Sequence, residues 1–223
     1  MILNIFRLVF LGIFTGIVFG YLAEQRVNYI KYFLRISILH SLAIFIVAFI
    51  FHGTFSRHLQ ILNWELIVLF ILPIPAIDII FLAFRRFIRK DIVFYHQNHG
   101  IYASSLSCRY AISKSFNVLF QQTLILASIF TLLDMGISTF QIIVLFAAGF
   151  GIAHIIIVDH KKPYTLLVII ASFFGGGIFS YLILFFPYGF FYSYLLHWLF
   201  LVVLGISPHF LYKKRTNLLS QYQ

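Results

Sequence analysis

Charged residues are scarce in this chain of 223 residues, because Asp, Glu, Lys and Arg together make up only 10% of it. A soluble domain carries about 25% charged and about 45–50% apolar residues. Here hydrophobic residues account for 62%, and the mean hydropathy is +1.00. This composition excludes a water-soluble globule, a disordered chain and a nucleic-acid-binding domain, although the formal net charge is +10. In so apolar a chain, basic residues are more typical of the cytoplasmic side of a membrane protein.

Two further absences exclude particular kinds of covalent cross-link and binding site. The chain contains one cysteine, Cys108, which excludes an internal disulfide framework and any cysteine-based metal site. The glycine run at residues 175–177 is not followed by a Lys-Ser or Lys-Thr pair, so it is not a phosphate loop. Three small residues in an apolar helix instead favour close packing against a neighbouring helix.

Apolar stretches long enough for a bilayer follow one another along the chain. A hydrocarbon core about 30 Å thick needs about 20 apolar residues of helix. Seven stretches qualify, at residues 2–21, 36–51, 64–84, 116–133, 139–158, 164–186 and 189–206. The sequence therefore predicts an all-α, polytopic transmembrane helix bundle that forms a single integral membrane domain over residues 1–223. Residues 91–115 could add a helix along the membrane interface, and residues 213–223 form a short polar tail.

Basic residues are distributed unevenly among the predicted connections. Fourteen of the 16 lie in the first, third and fifth connections or in the tail, with Arg109 and Lys114 in the third. Only Arg7 and Arg57 fall on the other side. The positive-inside rule then predicts an N-terminus outside the cell and a cytoplasmic C-terminus, in a multi-pass integral membrane protein.

A few polar side chains interrupt the apolar stretches, and such groups at membrane depth are costly and indicate function by default. Counted at about 1.5 Å per helical residue, five of them share one layer roughly 5–10 Å below the cytoplasmic edge. These five are His40, Asp78, Gln121, Gln122 and His154. His197 lies deeper, at roughly 14 Å. The sequence predicts that these side chains face one another or a water-filled cavity.

Structural roles are the alternative for each of these residues. A lone intramembrane histidine often forms an interhelical hydrogen bond, and paired glutamines are more often interhelical contacts than chemistry. Asp78 follows Pro73 and Pro75 and could cap the helix break that they cause. The remaining histidines lie in connections or at helix ends and are expected to be solvated: His52, His58, His96, His99, His160 and His209.

Two short motifs in the second half carry a resemblance to a known family. Phe150 and His154 form F-x-x-x-H near the end of one apolar helix, and His197 lies within a later one. Their order and placement over residues 116–206 resemble the CPBP family, the CAAX-prenyl-protease-like and bacteriocin-processing (abortive infection) membrane proteins. That family combines E-E-x-x-x-R, F-x-x-x-H and H-x-x-x-N/D on separate helices. The resemblance implies a location in the prokaryotic plasma membrane.

The resemblance implies intramembrane hydrolysis of a membrane-associated or prenylated peptide. In the family a glutamate and a histidine activate water, and a second histidine with an amide stabilises the oxyanion, which assigns these roles to His154 and His197. The glutamate positions hold Gln121 and Gln122, and an amide cannot accept a proton at physiological pH. Losing a general base typically costs about 10²–10⁴-fold in rate. Asp78 is the one acidic residue at a suitable depth to replace it.

The family's arginine and its final Asn or Asp are also missing, since Leu126 and Leu201 occupy those positions. Several functions therefore stay open: an intramembrane endopeptidase, an inactive relative, or a non-catalytic immunity protein that keeps the cavity for binding membrane lipids or peptides. His154 and His197 could instead hold a divalent metal such as Zn, or serve as axial haem ligands. A transporter is the remaining alternative, because Pro73 and Pro75 interrupt a predicted span.

Overall fold

The computed structural model describes residues 2–24, 31–59, 108–157 and 165–201, together with Ile79. Within these ranges the chain forms helices and no strand, which confirms the all-α prediction there. The helices are α1 (Ile2–Glu24), α2 (Phe33–Ile50), α3 (His52–Leu59), α4 (Cys108–Asp134), α5 (Thr139–Ile157), α6 (Thr165–Phe185) and α7 (Gly189–Leu201).

Four of the described helices are long and apolar enough to cross a membrane. They comprise residues Ile2–Tyr21, Phe33–Ile50, Arg109–Asp134 and Val168–Phe185. The apolar parts of α5 and α7 are shorter, at Thr139–Ile155 and Gly189–Leu201. The predicted span at 64–84 lies outside the described residues, so the count of seven stays a prediction.

Helix α4 lies at the centre of the described bundle. In the most apolar part of Arg109–Asp134, 67% of the residues are buried, against 11% for Ile2–Tyr21 in α1. Helix α4 packs mainly against α2 and also contacts α1, α3, α5 and α6. Aromatic rings fill the contact with α1, since Phe120 is fully buried and meets Phe14 and Phe19 at centroid distances of 6.1 and 5.8 Å.

Helix α4 begins at Cys108, eight residues before the predicted start at residue 116. The prediction was wrong because residues 108–115 contain several polar side chains, whereas the structure fully buries the hydroxyl groups of Ser113 and Ser115. Ser115 donates to the Ala111 carbonyl oxygen at 2.9 Å and accepts from Trp198 Nε1 at 3.1 Å. Arg109 and Lys114 consequently lie in the first two turns of α4 and not in a connection, and residues 108–115 are not part of a separate interfacial helix.

Polar contacts mark two opposite ends of the bundle. At what we call the Arg35 end, Arg35 donates to the Tyr21 hydroxyl, and the Arg109 guanidinium lies 5.5 Å from the Phe33 ring centroid. At the Asp134 end, Arg57 binds Asp134 at 2.6 Å, and Arg7 donates to Thr54 at 3.2 Å. Helices α1, α2 and α4 therefore run the full length between two polar boundaries.

Glycine allows the close approach of α5 and α6. A Cβ added at Gly176 would overlap the Phe146 carbonyl oxygen and come within 2.8 Å of Phe150 Cβ. The turn between α6 and α7 also needs glycine, because a Cβ at Gly189 would overlap the Leu182 carbonyl oxygen. The contact at Gly176 fixes the distance between α6 and the part of α5 that carries Phe150 and His154.

Candidate functional site

The centre of the candidate site is a buried hydrogen-bonded chain across α4 and α7. Gln122 Nε2 donates to His197 Nδ1 at 3.0 Å, and Ser193 Oγ donates to Gln122 Oε1 at 2.6 Å. Gln122 and Ser193 are fully buried, and His197 is 8% exposed. Both polar atoms of the Gln122 side chain therefore have partners, as groups buried in a membrane interior require.

His154 reaches this chain through aromatic rings. The His154 ring is stacked on Phe150 with a centroid distance of 6.3 Å, and Phe150 meets Phe179 edge-on at 6.1 Å. Phe179 in turn stacks on His197 at 5.0 Å. No direct hydrogen bond joins the two imidazoles among the described contacts.

The hydrogen bonds assign different tautomers to the two imidazoles. His154 Nδ1 lies 2.8 Å from the Phe150 carbonyl oxygen, which can only accept, so Nδ1 carries a proton. His197 Nδ1 accepts from Gln122, so the proton of a neutral His197 is on Nε2. One ring thus keeps a basic Nε2 and the other an N–H donor at Nε2, a combination that suits proton acceptance on one side and stabilisation of negative charge on the other.

Gln121, the neighbour of Gln122, belongs to a second cluster. Its Nε2 donates to Asn117 Oδ1 at 3.0 Å, and Lys114 Nζ donates to the same oxygen at 3.1 Å. Asn117 Nδ2 donates to His40 Nε2 at 2.9 Å. Consecutive residues of a helix point in directions about 100° apart, which explains why the two glutamines have different partners.

The acidic side chain whose contacts the structure describes, Asp134, lies away from both clusters. Asp78, the predicted replacement base, lies outside the described residues. Asp134 is at the opposite end of α4 from the Lys114 cluster, where it binds Arg57 at 2.6 Å and His58 Nε2 at 2.8 Å. The expectation that His58 is solvated was wrong, because its ring also stacks on Phe130 at 4.7 Å and its side chain is only 25% exposed.

Sequence reasoning missed several partners in these clusters. Ser193, Asn117 and Lys114 were not among the predicted site residues, and His40 was noticed only for its depth. The sequence does contain a pattern that could have identified part of this cluster. Lys114, Asn117 and Gln121 follow one another at spacings of three and four residues, which places them on one face of a helix. Ser193 likewise precedes His197 by four residues on α7.

The donor groups of the described residues alone do not form a metal or haem site. No group of three or more His, Cys, Asp or Glu side chains comes together among the described residues, and catalytic zinc uses three protein ligands. His197 Nδ1 is already engaged by Gln122. Phe150 and Phe179 connect the two imidazoles, and this arrangement does not suit a pair of axial haem ligands.

Comparisons with known proteins add no relative. No family model, curated protein or solved structure matches the chain.

Proposed function

We propose that this chain is a multi-pass membrane protein on the CAAX-protease-like scaffold, whose interior site on α4, α5 and α7 binds a membrane-associated or lipidated peptide. The observation that carries the proposal is the 3.0 Å hydrogen bond between Gln122 and His197. It brings together a residue of the altered glutamate motif and the histidine of the last motif, which are 75 residues apart.

The second line of support is the ring contact that leads from His197 to the F-x-x-x-H motif. Phe150 accepts the His154 hydrogen bond through its carbonyl oxygen and contacts Phe179 through its ring. Both residues of the motif therefore act together, with Phe150 fixing the tautomer and the position of His154. His154 Nε2 would accept a proton from water, and His197 Nε2–H would donate to the oxyanion.

The catalytic step lacks its strongest base in this chain. Gln122 occupies a position where a carboxylate would accept from Ser193 and from His197 Nδ1–H, with His197 then protonated on both ring nitrogens so that Nε2–H remains a donor. Because an amide is not basic, we propose that the site binds peptide and hydrolyses it about 10²–10⁴-fold more slowly than a glutamate-bearing form. Asp78 remains the proposed alternative base.

Restoring the carboxylates tests this proposal. The variant Gln121→Glu/Gln122→Glu, reconstituted in vesicles, should cleave a lipidated fluorogenic peptide at least about 10²-fold faster than the original chain. The matched control is Gln141→Glu, which makes the same chemical change on α5 where Gln141 is exposed and caps the helix with Ser138. Adding His154→Leu or His197→Leu to the double variant should abolish the gained activity.

A non-catalytic immunity or binding role is the second candidate, and it is favoured because Nε2 and Oε1 of the Gln122 amide are each already hydrogen-bonded within the protein. Photocrosslinking of a lipidated peptide to the unmodified chain separates the two. Crosslinks without cleavage in the double variant would support the binding role and overturn the peptidase scaffold. If the peptide were neither bound nor cleaved, both proposals would be wrong.

The proposed orientation puts the Arg35 end in the cytoplasm of a prokaryotic cell and the N-terminus outside. It is supported by the distribution of described basic residues, since Lys31, Arg35, Arg109 and Lys114 lie towards the Arg35 end. Single cysteines introduced at Lys31 and at Ser138, in a Cys108→Ser background, should react with membrane-impermeant maleimide only at Ser138 in intact cells.

A further inference from the structure

Ser193 lies at one end of the buried hydrogen-bonded chain, and His197 lies at the other. Both belong to α7 and are four residues apart, so they share the face of α7 that meets α4. Gln122 of α4 lies between them, with Oε1 at 2.6 Å from Ser193 Oγ and Nε2 at 3.0 Å from His197 Nδ1. The two polar atoms of one amide therefore face two different side chains of α7.

An amide between a hydroxyl and an imidazole can form its hydrogen bonds in either of two directions. In the observed direction, Ser193 donates to Gln122 Oε1, and Gln122 Nε2 donates to His197 Nδ1. In the reverse direction, Nε2 would donate to Ser193, and His197 Nδ1–H would donate to Oε1. The direction of the amide thus determines which tautomer a neutral His197 adopts.

The hydroxyl hydrogen of Ser193 determines the observed direction. Among the contacts of the described residues, its one acceptor is Gln122 Oε1. Other serines of the bundle donate to a carbonyl oxygen of their own helix four residues earlier, namely Ser37, Ser41 and Ser180. In the reverse direction Ser193 would accept from the amide, and in its observed rotamer its buried hydrogen would have no acceptor, which is costly.

The observed direction leaves the N–H at Nε2 of His197 available to a ligand. This nitrogen takes part in no hydrogen bond within the described part of the chain, and it is not sealed from solvent. Phe179 stacks on the imidazole at 5.0 Å and so supports the orientation of the ring. Such an N–H binds a group that accepts a hydrogen bond, for example a carbonyl oxygen, whereas the other tautomer would present a lone pair there.

We propose that Ser193 is a positioning residue, whose hydroxyl fixes the Gln122 amide and thereby keeps His197 as a donor towards a carbonyl oxygen of the bound peptide. The part that concerns the peptide rests on the proposed function, whereas the tautomer of His197 can be observed without any peptide. Ser193 acts through Gln122 and does not itself need to touch the ligand.

Nitrogen-15 NMR of the full chain in lipid nanodiscs, with the histidine rings labelled, distinguishes a protonated ring nitrogen from an unprotonated one. At about pH 8 a histidine with an ordinary pKa is neutral, and the signal of His197 is identified by its loss in His197→Gln. The unmodified chain should show Nδ1 unprotonated and Nε2 protonated. In Ser193→Ala either direction of the amide forms one hydrogen bond, so the fraction of His197 with Nδ1–H should rise several-fold. Ser193→Thr keeps the hydroxyl and should restore the original tautomer.

Ser180→Ala is the matched control, because Ser180 is also fully buried but donates within its own helix. It should leave His197 unchanged, and so should Ser193→Ala when it is added to Gln122→Leu, which removes the connecting amide. An unchanged tautomer in Ser193→Ala, or an equal change in Ser180→Ala, would overturn the role of Ser193. Protonated Nδ1 in the unmodified chain would overturn the amide direction. Unchanged helicity verifies that each variant is folded, and because no peptide is present the result does not depend on the proposed function.

Discussion

Helix α4 and the α5–α6 pair are held in the described bundle by different physical means. Helix α4 is largely buried and bonds its neighbours through polar side chains, such as Gln122 to His197 and Asn117 to His40. The α5–α6 pair meets at Gly176, where two backbones come into direct contact. Only 33% of residues Val168–Phe185, the apolar part of α6, are buried. Helix α6 therefore exposes most of its surface to its surroundings.

This difference indicates that the two regions have different roles, because one supplies polar groups to the candidate site and the other positions them. In a membrane, helices gain little from burying apolar surface against one another, so hydrogen bonds and close backbone packing replace the hydrophobic effect. The hydrogen-bonded helix α4 supplies the polar groups of the candidate site. The glycine contact determines where α5 holds Phe150 and His154 relative to His197. Damage to one contact should therefore leave the other largely intact.

The largest decrease in the free energy of unfolding is expected for Gly176→Ala. The new Cβ overlaps the Phe146 carbonyl oxygen, a backbone atom that cannot rotate away, so we expect the free energy of unfolding to fall by about 3 kcal/mol, the upper end of the range for overpacking. Unfolding in mixed micelles, followed by far-UV circular dichroism, measures the change. Gly149→Ala on α5 is the control, because its Cβ would meet nothing within 4 Å. Similar losses in both variants would mean that the α5–α6 contact is not what the glycine serves.

The second largest effect is expected for Gln122→Leu. This change leaves the buried Ser193 hydroxyl and His197 Nδ1 without their partner, and such a loss costs about 1–3 kcal/mol. Gln121→Leu is matched in size and position, but Asn117 Oδ1 keeps its bond to Lys114, so the cost should be smaller. Both are measured by the same micellar unfolding. A larger loss in Gln121→Leu would contradict the assignment of the two glutamines to different clusters.

The sequence predicted some parts of this comparison well and others poorly. The α5–α6 hairpin was predicted at 139–158 and 164–186 and is observed at Thr139–Ile157 and Thr165–Phe185, because long apolar runs define such helices. The start of α4 was missed because its buried polar groups resemble those of a connection. Burial against distant partners decides their role, and composition does not reveal it.

The candidate site was predicted in the same uneven way. Depth along the helices suggested that the glutamines and histidines belong together, and Gln122 does meet His197. Depth could not show that Gln121 and Gln122 have different partners, because the partner of each side chain depends on which helices surround α4. Nor could it find the bond between His58 and Asp134, since these residues are 76 positions apart.

A double-mutant cycle of His40→Leu and Asn117→Leu sharpens the view that hydrogen bonds hold α4 to α2. Interhelical hydrogen bonds in membranes contribute about 0.6 kcal/mol on average and up to about 1.7. Because His40 and Asn117 are both buried, we expect a coupling free energy near the upper part of that range. The same unfolding measurement on the two single variants and the double variant provides it. A coupling of zero would mean that apolar packing alone joins the two helices.

The smallest effect is expected at the Asp134 end, for Asp134→Asn. Arg57 is largely exposed while Asp134 is only 16% exposed, and ion pairs at such a boundary contribute about 0.2–1 kcal/mol. The change should therefore act locally, by loosening α3 from the end of α4. Amide hydrogen exchange should become faster in residues 52–59 and stay unchanged in α5 and α6, and added salt should reduce the difference between the two proteins because it screens the exposed guanidinium. Faster exchange throughout α4 would instead show that this ion pair supports the whole polar helix, and the separation between its hydrogen-bonded interior and its charged end would no longer hold.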